Sequence, residues 1–98
     1  MNPTIESIRA IRLTLNLQPR EKMIEYLNKR ITELIEQKAR QGIIEIGQQA
    51  LQDLRHLTDE LSWLTTLCYW VQSSTQEPDP ELRAVYAQIG AFLMCTAV

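Results

Sequence analysis

One histidine, two cysteines and a scatter of carboxylates are the residues of this 98-residue chain best suited to chemistry. Asp53, His56 and Glu60 are spaced so that, on one continuous helix, two carboxylates and an imidazole share an edge and could touch one metal ion. Bundles that hold metals this way draw further carboxylates and a second histidine from other helices. No second histidine exists here, and Glu33 or Glu36 would have to complete the shell. The edge therefore reads as a solvated His–Glu pair, and no metal or other cofactor is expected. Nucleophilic catalysis needs Ser, Cys or Thr beside an oriented base. His56 and Cys68 are twelve positions apart on the expected helix, about 18 Å of rise, so they cannot meet within one subunit. Gly-rich phosphate loops, CxxC pairs and dinucleotide fingerprints are all missing. The expectation is that the chain is not an enzyme.

The charges are unevenly divided. Residues 1–41 hold eight Lys/Arg against five Asp/Glu, and residues 42–98 hold two against seven, so a half at +3 faces a half at −5. Such a split predicts attraction between the halves, within one chain or between two. The basic half (Arg9, Arg12, Arg20, Lys22, Lys29, Arg30, Lys38, Arg40) also admits nucleic acid as a partner. Ser7–Leu17 and the segment after it resemble in outline the first two helices of a helix-turn-helix repressor. The connector carries Pro19 where a small turn residue is usual, acidic residues are interleaved, and a pI near 5.3 is low for a dedicated DNA binder. A nucleic-acid-binding regulator is therefore the alternative reading, not the leading one.

The elements that must position these groups are helical. Asn2–Pro3 suits a helix start, and Ile5, Ile8, Ile11 or Arg12, and Leu15 follow at helical spacing until Asn16–Pro19 breaks the run. Ile24, Leu27, Ile31 and Leu34 carry a second helix from Pro19 toward Arg40, with Met23, Tyr26 and Ile35 widening its stripe. Glu25–Lys29 and Glu36–Arg40 fall at i, i+4, and Gly42 fits the position just past the helix end. Gly42–Gly47 reads as a turn, with a bend inside one long rod as the alternative. Ala50, Leu54, Leu57, Leu61, Leu64, Cys68 and Val71 alternate steps of four and three, predicting a coiled-coil-like third helix of about 25 residues and roughly 37 Å. Ser73–Pro78 is a polar loop, and Asp79-Pro80-Glu81 opens a fourth helix whose stripe runs from Leu82 to Thr96. The fold class predicted is all-α: one domain over residues 1–98, a small antiparallel bundle of about four helices, three of them long, that a second copy would complete. Cys68 and Cys95 read as small buried hydrophobes in a reducing compartment. Met1–Ile11 is polar rather than leader-like. The longest apolar run, Ile89–Val98, has ten residues, about half a membrane span, so a soluble cytoplasmic protein with no membrane role is expected.

The segment DELSWLTTLCYW (59–70) is the richest in aromatic residues. On a continuous third helix, Trp63, Leu67 and Trp70 lie on a flank beside the leucine seam, and the same flank is acidic further back. That widening predicts a second neighbour: the fourth helix, another subunit or another protein. Large rigid aromatics suit interface centres. The expected function is a small helical protein–protein interaction module, an adaptor, regulator or chaperone-like partner, working as a homodimer or on another protein. Trp63, Leu67, Trp70, Phe92, Leu93 and Met94 would form the apolar contact, and Arg9, Arg12, Lys29 and Arg30 a charged rim selecting an acidic partner.

Overall fold

The computed structural model describes residues 5–97, with backbone only at 5, 8 and 9. The Asn2–Pro3 helix start lies outside the described residues. Five helices and one parallel two-residue pairing make up the described chain. They run in the order α1 (Ile5–Leu13), β1 (Gln18–Pro19), α2 (Arg20–Glu36), α3 (Gln41–Arg55), α4 (Glu60–Gln76), α5 (Pro80–Met94) and β2 (Thr96–Ala97). The all-α bundle is as the sequence predicts. It is built as two helix hairpins, α2–α3 and α4–α5, with α5 also lying against α3.

Each boundary has a local cause. In α2, Met23, Leu27 and Ile31 recur every fourth residue and are buried, so one stripe faces the core. The helix ends at Glu36 with Gln37 as its cap, not just before Gly42. Lys38 adopts a left-handed backbone at φ 55°, its N–H donates to the Ile35 carbonyl, and the Ala39 N–H donates to the Leu34 carbonyl. This is a Schellman closure with lysine where glycine is usual. Arg40 therefore lies outside the helix. The expected Glu36–Arg40 helical pair is replaced by Arg40 donating to Asp79 at 2.6 Å and Glu81 at 3.2 Å, at the start of α5.

Gly42 and Gly47, expected in a turn, both lie inside α3. They are there for close approach. A Cβ at Gly47 would sit 3.2 Å from Cγ1 of Ile31 on α2, and one at Gly42 would sit 3.3 Å from Cδ2 of Leu82 on α5. At both positions the glycine lets a neighbouring side chain lie a few tenths of an ångström nearer than a Cβ would comfortably allow.

The single third helix is also corrected: the chain breaks at residues 56–59. Asp59 caps α4, its carboxylate accepting from the Ser62 N–H at 2.8 Å while the Ser62 hydroxyl accepts from the Asp59 N–H at 3.1 Å. This reciprocal box terminates the leucine seam in mid-pattern. The phase then restarts, so α4 buries Trp63, Leu64, Leu67 and Trp70, whereas Leu61 is 73% exposed and Cys68 is also exposed rather than buried. Neither α3 nor α4 reaches the expected 37 Å, and the argument for a second subunit from an overlong rod disappears. At the C-terminal end, α5 opens on Asp79 and Pro80 as expected but stops at Met94. Thr96 pairs with Gln18 and Ala97 with Pro19 in place of a further helical turn. No described helix is long and apolar enough to cross a membrane.

Candidate docking surface

The aromatic segment is interior. Trp63 is 1% and Trp70 0% exposed, and Leu67 and Leu93 are equally buried. Both indole N–H groups are satisfied within the chain, as buried indoles require. Trp63 donates to the Leu93 carbonyl at 3.0 Å, and Trp70 donates to Oδ2 of Asp53 at 2.9 Å. Asp53 lies on α3 and Trp70 on α4, so a reading of one continuous helix could not anticipate the bond between them. Tyr86 packs on Trp70 at 5.5 Å between ring centroids, with Tyr69 edge-on from the outer side at 5.8 Å. Burial pushes the Tyr86 hydroxyl upward, helped by nearby Tyr69 and Glu77. A partner cannot reach Trp63, Leu67, Trp70 or Leu93 while the bundle stays closed. Met94 is half-buried.

The charged rim disperses. The Arg9 side chain lies outside the described residues. Arg12 stacks its guanidinium 4.0 Å over the Trp63 ring and donates to the Thr96 carbonyl at 2.6 Å. Burial pushes its pKa down, against the pull of Glu60. It seals the core rather than rimming a surface. Arg20 donates to the Leu57 carbonyl at 2.5 Å, and Arg40 is engaged by Asp79 and Glu81. Arg30 pairs with Glu33 at 3.3 Å on the open face of α2. Three arginines of the basic half, Arg12, Arg20 and Arg40, are thus engaged by other parts of the chain. His56 follows the end of α3, its Nδ1 2.7 Å from the Gln52 carbonyl, while Glu60 starts the next helix. The edge that would have joined Asp53, His56 and Glu60 is broken.

Two predicted residues, Phe92 and Lys29, do meet. They line an open groove of about 590 Å³ together with Gln18, Lys22, Met23, Glu25 and Tyr26. The floor is apolar: Met23 is buried, Phe92 is half-buried, and Tyr26 stacks on Phe92 at 5.8 Å between centroids and 27° between planes. Tyr26 remains 62% exposed, so a large aromatic face is both held in place and open. Lys22, Tyr26 and Lys29 stand at i, i+4 and i+7 on α2 and therefore share a face, with an ammonium one turn to either side of the ring. Tyr26 was legible only as a broadening of the α2 stripe. Its i, i+4, i+7 relation to the two lysines shows that the three share a face, not that the face is open. Among the described residues no group of three or more His, Cys, Asp or Glu is placed to hold a metal ion.

Comparison with protein-family models, curated proteins and solved structures finds no match to this chain.

Proposed function

We propose that the protein is a small helical interaction module, an adaptor, regulator or chaperone-like partner, that receives another polypeptide in the groove between α2 and α5. The observation that carries this reading is Tyr26: a large aromatic ring, mostly solvent-exposed, braced by Phe92 and flanked by lysines. Rigid aromatics on a surface supply contact area with few rotamers to freeze, which is what a binding centre needs. The groove replaces the buried tryptophan flank as the apolar contact, and Lys22 joins Lys29 as its charged rim.

The test is a photo-reactive phenylalanine analogue placed at position 26 in cells that make the protein. Each captured protein is then purified and its affinity for the chain measured directly. Tyr26→Ala and Phe92→Ala should each weaken binding by about tenfold or more, in the range of an interface anchor. Tyr26→Ala should melt within a few degrees of the parent, because its ring is mostly in water. Undiminished binding by both variants would refute the groove as the site.

A further inference from the structure

We infer that the groove takes an acidic amphipathic helix, with one bulky apolar side chain seated on Met23, Tyr26 and Phe92 and carboxylates at either end meeting Lys22 and Lys29. This names the partner class for the interaction reading above and rests on it.

Three observations lead here. The first is charge. The groove presents two exposed ammonium groups, Lys22 and Lys29, on one face of α2 around an apolar floor. The exposed Glu25 carboxylate lies between them in sequence, so two positive charges and one negative leave its lining at +1. A partner of opposite sign is steered toward it and one of like sign repelled.

The second is spacing. The seven residues from Lys22 to Lys29 correspond to about 10 Å of helix rise. A ligand helix with Asp or Glu at i and i+7, and Leu, Phe or Trp at i+3 or i+4, repeats that spacing in its own side chains.

The third is the floor itself, built from side chains of α2 and α5. An extended peptide laid there would find no row of backbone donors and acceptors, so its own amides would be desolvated without partners. A helix brings its amides already satisfied.

Nucleic acid is disfavoured at the same place. A lining of two ammonium groups and one carboxylate is too weakly positive to hold a row of phosphates, and Arg12, Arg20 and Arg40 are committed elsewhere in the chain.

The experiment is selection from a display library of 16-residue peptides on the full chain, with counter-selection on Tyr26→Ala. Selected peptides are synthesised and titrated by fluorescence anisotropy against the parent, Tyr26→Ala and the double variant Lys22→Glu/Lys29→Glu. Lys22→Ala/Lys29→Ala serves as a second charge variant, and circular dichroism confirms that each variant folds.

The expected winners carry carboxylates seven apart around a bulky apolar residue and gain helix on binding. They lose about tenfold in affinity in the charge-reversed variant and weaken as salt is raised. Winners that need Tyr26 but are basic or uncharged, or ignore both charge variants, overturn the acidic-helix assignment and leave the interaction module standing. Failure to enrich any Tyr26-dependent peptide overturns both. Tighter binding of a labelled RNA or DNA oligonucleotide than of any peptide, lost in the charge-reversed variant, overturns the assignment in favour of nucleic acid.

Discussion

Thr96 is fully buried, and its hydroxyl finds no hydrogen-bond partner among the described residues, although its carbonyl accepts from Arg12. A buried hydroxyl left unpaired costs about 1–3 kcal/mol. Valine has nearly the same shape and suits the extended backbone of β2. Thr96→Val should therefore raise stability by about 1 kcal/mol and the melting temperature by several degrees, read by calorimetry. A lower melting temperature would show that the hydroxyl has a partner in solution. The same residue-scale accounting explains why the tryptophans are interior. Each indole has a buried apolar body and one N–H, and the chain supplies the acceptors at Leu93 and Asp53. Neither acceptor is recognisable from sequence, because each lies on a different helix from the indole it serves. Phe92 and Lys29 were legible as surface candidates. Tyr26 and Lys22 were not, since helical spacing shows which residues share a face but not which face is left uncovered.

At the scale of elements, helix starts that depend on proline and aspartate were readable. Asp79 and Pro80 open α5 as expected. The Asp59–Ser62 box is equally local but was masked by a leucine pattern that runs across it. Serine at the third helical position is a weaker flag than the glutamate of the usual box. The carboxyl of Asp59 is held below its ordinary range chiefly by the Ser62 N–H and hydroxyl. The end of α2 is different. Nothing marks Lys38 as the left-handed residue, and a non-glycine side chain there costs about 1–2 kcal/mol. Part of that returns as unfolded-state entropy when glycine is introduced. Lys38→Gly should stabilise the fold by roughly 0.5–1 kcal/mol, seen as a higher urea midpoint with an unchanged slope. A loss of stability would mean that the α2–α3 turn takes another form in solution.

For the whole molecule, the opposed charges of the two halves become a definite contact. Arg40, in the α2–α3 connection, clasps Asp79 and Glu81 at the head of α5 and ties one hairpin to the other. The hydrogen bond from Arg40, with the N–H groups of Leu82 and Glu81, holds the Asp79 carboxyl at about 2. The folded value lies below the unfolded one of about 3.9. The stabilisation is therefore fully present above about pH 4 and is lost as the pH falls toward 2. All three side chains are substantially solvent-exposed, so the effect is small and shrinks in salt. Arg40→Gln should melt below the parent at pH 6, with the gap closing at pH 2. The Asp79 carboxyl, followed by NMR, should titrate closer to 4 in the variant. A gap that persists at pH 2 would assign the loss to packing rather than charge.

The amino-acid sequence by itself determined that this chain is an all-α bundle, where two of its connections fall, and that its halves attract, because periodicity, proline chemistry and net charge act over a few residues or are simple sums. Tertiary structure alone decided which arc of each helix is covered. Gly47 is understood only when Ile31 lies 3.2 Å from the place of its missing Cβ, and Trp70 only when Asp53 returns to meet its N–H. It was likewise the meeting of Phe92 on α5 with Tyr26 on α2 that left Tyr26 braced yet open to water, since exposure belongs to a pair of surfaces and not to the spacing along either one.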